Sequence, residues 1–148
     1  MSASGGLMKV SAELLAAYQD ADYVVFGDPD IVLRVGEPSP RLDALLEAEG
    51  AATAAYITAA NPLGERRSKA RNALGVAALE DLIAASGYPR LAGEGRDPEG
   101  RWPAEPSVLV IGIYREHAAA LGRLFGQNAI VFVEKGAAPE LVMLTPAP

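Results

Sequence analysis

The chain has no cysteine and a single histidine, His117, among 148 residues. The first absence excludes disulfides, thiolate metal ligands and cysteine nucleophiles together, and it fits a reducing compartment. The second leaves any zinc site leaning on carboxylates around one imidazole, an unusual ligand set, so no metal site is expected. Aromatic residues make up only 6% of a chain that is 50% hydrophobic, so alanine, leucine and valine must supply the core. No apolar run approaches the roughly 18 residues of a membrane span. The longest, Val108 to Ile113, has the length of a strand. The opening MSASGGLMKV lacks the apolar stretch that a signal peptide needs. These absences predict a soluble, cytoplasmic protein with no membrane association.

A basic excess is missing as well. The formal charge is −6, with three basic and nine acidic side chains in residues 1–60 and ten of each in residues 61–148. Nonspecific nucleic-acid binding is driven by neutralising phosphates, so no nucleic-acid partner is expected.

The elements that are present read as one grammar. Residues 1–10 read as a flexible N-terminus, and 11–148 as a single α+β domain of ordinary size. Ser11 caps a first helix carrying Leu14, Leu15 and Tyr18. Tyr23–Phe26 and Ile31–Val35 flank a Gly27-Asp28-Pro29-Asp30 turn and read as a hairpin. Ser39-Pro40 starts a second helix, which Gly50 stops. Residues 53–59 read as a strand. A long helix is predicted over about 65–86, with Ala70, Ala73, Leu74, Ala77, Ala78 and Leu82 as its buried stripe. Gly75 inside it costs up to about 1 kcal/mol against alanine, a sign of close packing. Residues 88–106 are rich in glycine, proline and charge and read as a long functional loop, with a short strand near Tyr88–Ala92. Residues 107–113 read as a central strand buried on both faces, 114–125 as a helix with Ala118, Leu121, Leu124 and Phe125 inward, and 129–134 and 140–144 as strands, the last at an edge. The expected fold is a single mixed, mostly antiparallel sheet with about three to four packed helices.

The ordered segments Tyr56-Ile57-Thr58-Ala59-Ala60-Asn61-Pro62, Gly93-x-Gly95-x-Asp97-x-x-Gly100-x-Trp102-x-x-Glu105-x-Ser107 and Phe125-Gly126-Gln127-x-Ala129, with Gly112, carry a resemblance. Across about Tyr23 to Leu144 the chain resembles a bacterial domain family of unknown function, whose members are short and mostly single-domain. The resemblance implies single-domain status and directs attention to the same loops, and it brings no activity with it. Ala60 stands where that family would place an aromatic residue.

Two segments hold the residues that folding does not obviously require. In the first, Thr58 and Asn61 lead into Arg66, Arg67, Lys69 and Arg71, where Glu65 is the only acid between residues 61 and 75. A helix start offers free N–H groups and a positive dipole end, so added basic residues suit an anion. Arg67 and Arg71 are four apart and share a helix side, next to Asn72. The alternative is a turn-forming asparagine beside a solvated basic face. In the second segment, 93–107, Asp97 and Glu105 flank Trp102. They are candidate catalytic acid and base, or oxygen ligands for Mg²⁺ or Ca²⁺, though spacing alone does not converge two carboxylates. The alternative is that Asp97 bonds its own turn, Glu105 pairs with an arginine, and Trp102 caps the core. Gln127 is a further candidate polar contact, or simply part of a helix end.

The glycines of this second segment do not make a dinucleotide fingerprint. Pro98 takes the third glycine position and a strand follows, so no cofactor class is indicated. Two functional readings stand. One is a domain binding a small anionic or polar ligand between the 58–72 and 93–107 loops. The other is a non-catalytic protein-interaction module using the Trp102 loop. The edge strand near 140–144 leaves monomer and homodimer both open.

Overall fold

A computed structural model describes residues 9–146. Most of the flexible N-terminus expected over 1–10 lies outside the described residues. The elements run α1 (Ala12–Asp20), β1 (Asp22–Val25), β2 (Ile31–Leu33), α2 (Pro40–Glu49), β3 (Thr53–Thr58), a 3₁₀ turn (Pro62–Gly64), α3 (Lys69–Ala85), β4 (Arg90–Arg96), β5 (Glu105–Ile111), α4 (Arg115–Leu124), β6 (Ala129–Glu134) and β7 (Glu140–Met143). The fold is α+β. Its seven strands form one sheet in the order β2-β1-β4-β5-β3-β6-β7. The expected mixed, mostly antiparallel sheet is antiparallel in every described pair.

Strand alternation divides the core in two. Ala55, Ile57, Val108, Val110, Ile130 and Phe132 face Val76, Leu79 and Ile83 of α3 and Ala118 and Leu121 of α4. Their neighbours Ala54, Tyr56, Leu109, Ile111, Val131 and Val133 face Leu42 and Leu46 of α2. β5 lies at the middle of the sheet and its Val108, Leu109 and Val110 are fully buried, as a strand covered on both faces requires. Ser11 and Ser39 cap α1 and α2 through their hydroxyls. Gly50 ends α2 in the left-handed conformation, which glycine adopts without a Cβ penalty.

α3 corrects the sequence reading twice. It begins at Lys69, capped by the Ser68 hydroxyl accepting from Arg71 N, so Arg66 and Arg67 precede the helix. Its buried stripe is Val76, Leu79 and Ile83. The expected stripe faces outward, with Leu74 72% and Leu82 42% exposed. The helix is apolar on both sides, so period alone could not choose between them. Gly75 does mark the packed side: a Cβ there would sit 3.1 Å from the Ala59 carbonyl oxygen. In α4, Leu124 likewise points outward at 67% exposure, whereas Ala118 and Leu121 are buried as expected.

The expected 88–106 loop is mostly a hairpin. β4 and β5 pair from Arg90↔Val110 to Gly95↔Glu105, leaving only residues 97–104 as the connection. Gly93 explains why this strand lacks the usual strand residues. A Cβ on it would lie 2.0 Å from Val24 O and 3.1 Å from the Tyr56 hydroxyl. That hydroxyl donates to Val24 O at 2.9 Å, reaching from β3 across β5 and β4 to β1. Only glycine lets it pass.

Candidate functional site

The turn after β3 is the point on which the candidate residues converge. Asn61 has φ 46°, ψ 57°, a left-handed conformation that asparagine tolerates better than most residues. Its backbone N–H donates to Asn72 Oδ1 at 2.9 Å. Its Oδ1 accepts from Arg67 N at 2.9 Å and from Asn72 Nδ2 at 3.0 Å. Its Nδ2 donates to Glu105 Oε2 at 2.5 Å. Thr58 Oγ1 donates to Pro106 O at 2.6 Å and accepts from Ala60 N at 3.0 Å. Gln127 Nε2 donates to Ala60 O at 3.0 Å. Thr58, Asn61, Asn72, Glu105 and Gln127 therefore form one polar network that pins residues 60–61 between α3, β5 and the end of α4.

Two spaces adjoin this network. On one side lies an outer cleft of about 700 Å³, within the roughly 300–1,000 Å³ of small-molecule sites. Asn61, Arg66, Arg67, Lys69 and Asn72 line it from the first segment, and Gly93, Glu94, Pro103, Ala104 and Pro106 from the second, with Phe26 beside them. The two sequence segments thus meet across a concave surface. Arg71 faces away from it, into a neighbouring depression that it shares with Arg67, Asn72 and Arg123. On the other side is a small inner pocket of about 50 Å³, walled by Tyr18, Tyr23, Tyr56, Trp102 and Glu105. Glu105 lines the inner pocket, and its partner Asn61 lines the cleft.

The inner pocket follows from strand register. Tyr23 of β1, Gly95 of β4 and Glu105 of β5 form one cross-strand row. A Cβ built on Gly95 meets nothing within 4 Å, so the missing side chain opens the space between ring and carboxylate. Tyr23 and Tyr56 meet edge-to-face with centroids 5.4 Å apart. The Tyr23 hydroxyl donates to Tyr18 O, and the Tyr18 hydroxyl accepts from Asn128 Nδ2 at 3.1 Å.

The two carboxylates of the second segment have opposite surroundings. Asp97 is 1% exposed at its side chain. It accepts from the backbone N–H groups of Glu99 and Arg101 and from Arg101 Nε and Nη2. The Arg101 guanidinium, with those N–H groups, holds its carboxyl down at about 2. This is the turn-bonding alternative for Asp97. Burial instead pushes the Glu105 carboxyl above its ordinary range, with the Asn61 amide opposing. Its partner is an amide, and none of the ion pairs among the described residues includes it. Burial raises the Tyr18, Tyr23 and Tyr56 phenols, and the field of Glu105 adds to each. The carboxylate therefore acts on all three rings.

These tyrosines escaped sequence reading because they lie on three separate elements. Tyr18 read as part of the first helix beside Leu14 and Leu15, and Tyr23 and Tyr56 as parts of strands. The pair of strand glycines was the available signal, since glycine in a strand marks space or close approach. Among the described residues no three histidine, aspartate or glutamate side chains stand together as metal ligands, and no helix is long and apolar enough to cross a membrane.

A family model described as a protein of unknown function (DUF3293) matches residues 57–130, half of the chain. The chain belongs to this family. The DUF3293 match runs from β3 through α3, the β4–β5 hairpin and α4 into β6, so it contains the Asn61 network, the Arg66–Lys69 approach and Trp102. Tyr18, Tyr23 and Tyr56 lie outside it. No curated protein and no solved structure matches the chain.

Proposed function

We propose that the outer cleft binds a small anionic or polar molecule. The observation that carries this reading is the end of the cleft lined by Arg66, Arg67 and Lys69. None of the three enters an ion pair among the described residues, although the chain carries net negative charge. Their charge is available to a ligand, and Phe26, Pro103, Ala104 and Pro106 offer its remainder an apolar wall. A few placed polar groups in an apolar concavity are the ordinary makeup of such sites. If the bound molecule is a substrate, Glu105 is the acid–base candidate, one Asn61 side chain away, because Asp97 is held by Arg101. The setting in this reading is bacterial and cytoplasmic.

The alternative, an interaction module built on the Trp102 loop, has less support, since Trp102 is half-buried against the inner pocket. A thermal-shift series with inorganic pyrophosphate and AMP tests the proposal. Binding to the native state raises the midpoint, by about 2.7 kcal/mol of stability at a hundredfold excess over Kd. The double substitution Arg66→Ala, Arg67→Ala abolishes the rise. No rise with either ligand at millimolar concentration, or a rise unchanged in the double variant, refutes it.

A further inference from the structure

The inner pocket is a different space from the cleft, with different chemistry. Its Glu105 carboxylate is half-buried among aromatic rings, and Asn61 takes one oxygen, Oε2, through an uncharged amide. None of the described ion pairs includes this carboxylate. A carboxylate withdrawn from water without a cation is costly. Aromatic faces attract cations through their quadrupoles, most strongly where water is excluded. An anion entering here meets the Glu105 charge, and an apolar group leaves that charge unpaired. A cation satisfies the carboxylate and the rings together.

Size narrows the class. The space of about 50 Å³ is a small fraction of the cleft's 700 Å³ and lies far below the roughly 300–1,000 Å³ of ordinary small-molecule sites, so it suits a small head group better than a nucleobase or a sugar. We propose that the inner pocket is a binding site for a primary ammonium group, with Glu105 as counter-ion and the rings of Tyr18, Tyr23, Tyr56 and Trp102 as walls. The ligand class is a small primary amine, or a longer molecule that inserts its ammonium end. Burial raises the Glu105 carboxyl above its ordinary range, and a cation in the pocket opposes that shift. This site does not depend on the cleft reading: no anion and no basic residue of the cleft takes part.

Trp102 is the only tryptophan, so its fluorescence reports on the pocket wall. The full chain is titrated with methylammonium chloride against potassium chloride at equal ionic strength. A saturable change with methylammonium, absent with potassium, is expected with half-saturation in the millimolar range. Glu105→Gln raises the half-saturation at least about tenfold, a loss of about 1.4 kcal/mol. Gly95→Val places a side chain in the open space above β4 without touching the charge, and it raises the half-saturation by a similar factor. Circular dichroism checks that each variant is folded, and if Glu105→Gln does not fold, Gly95→Val decides. No saturable change in the wild type overturns the proposal. So does a change that survives in the folded variants.

Discussion

Asp97 and Glu105 stand at the two ends of one connection, between β4 and β5, and they are opposites. Asp97 closes its own turn with two backbone N–H groups and an arginine, and nothing remains for a ligand. Glu105 opens onto a pocket, with an amide where Asp97 has a guanidinium. The same residue chemistry thus stabilises the fold at one end and leaves a binding capacity at the other. A buried carboxylate with complete partners is architecture, and one with incomplete partners is a site candidate.

The largest test of this contrast is Gly93→Ala. The open side of the hairpin exists because the Tyr56 ring crosses two strands to reach Val24 O, and a Cβ on Gly93 meets that oxygen at 2.0 Å. The variant is expected to lose about 3 kcal/mol, the upper range of overpacking, in urea denaturation. A loss below about 1 kcal/mol would mean that β4 tolerates side chains and that its glycines do not shape the pocket. Asn61→Ala follows, at about 2 kcal/mol, from lost hydrogen bonds and a left-handed backbone that alanine resists. Asn61→Gly keeps the backbone freedom and recovers part of the loss. If the two variants are equally unstable, the side-chain network carries the whole effect.

How much of this was legible in the sequence divides along the same hairpin. The order of helices and strands follows from local signals: serine caps, the Gly50 stop, the Asp-Pro turn and the apolar run of β5. Such signals act within a few residues, and so they survive reading one residue at a time. The face of α3 was not legible. Alanine and leucine favour helix whether buried or exposed, and Leu74 and Leu79 differ only in what the sheet places beside them. The start of β4 was legible as the short strand near Tyr88–Ala92, but its second half was illegible for the reverse reason. Gly93 and Gly95 read as loop, yet each is fixed by a residue distant in sequence, Tyr56 for one and the Tyr23–Glu105 row for the other. The polar network was half legible: Thr58, Asn61, Asn72, Glu105 and Gln127 stood out singly, and the contact of Asn61 with Glu105 in place of Asp97 required the register.

Asp97→Asn gives a smaller effect with a distinct pH signature. The Asp97 carboxyl is lowered from 3.8 to about 2 in the folded protein, so the unfolded chain binds more protons between these values. Stability from Asp97 is therefore complete above about pH 3.8 and is lost as pH falls through about 2. The variant should melt lower than the wild type at neutral pH, and the gap should close with acid across that window. Parallel melting curves down to pH 2 would remove the Arg101 contact as the cause.

Glu105→Gln is the smallest change and the sharpest, because its sign is reversed. The folded carboxyl lies above its ordinary 4.5, so between that value and the raised one the folded protein binds more protons than the unfolded chain. Stability contributed by Glu105 is complete below pH 4.5 and falls as pH rises through the folded value. Glutamine keeps an acceptor for the Asn61 amide and removes the charge. Near neutral pH, without a cation in the pocket, the variant should be as stable as the wild type or more stable by roughly 1 kcal/mol, the scale of one exchanged hydrogen bond. Below about pH 4.5 that advantage should vanish. Denaturation at several pH values measures both limbs. A variant destabilised at neutral pH would make Glu105 a structural carboxylate like Asp97, and the two ends of the hairpin would no longer differ in kind.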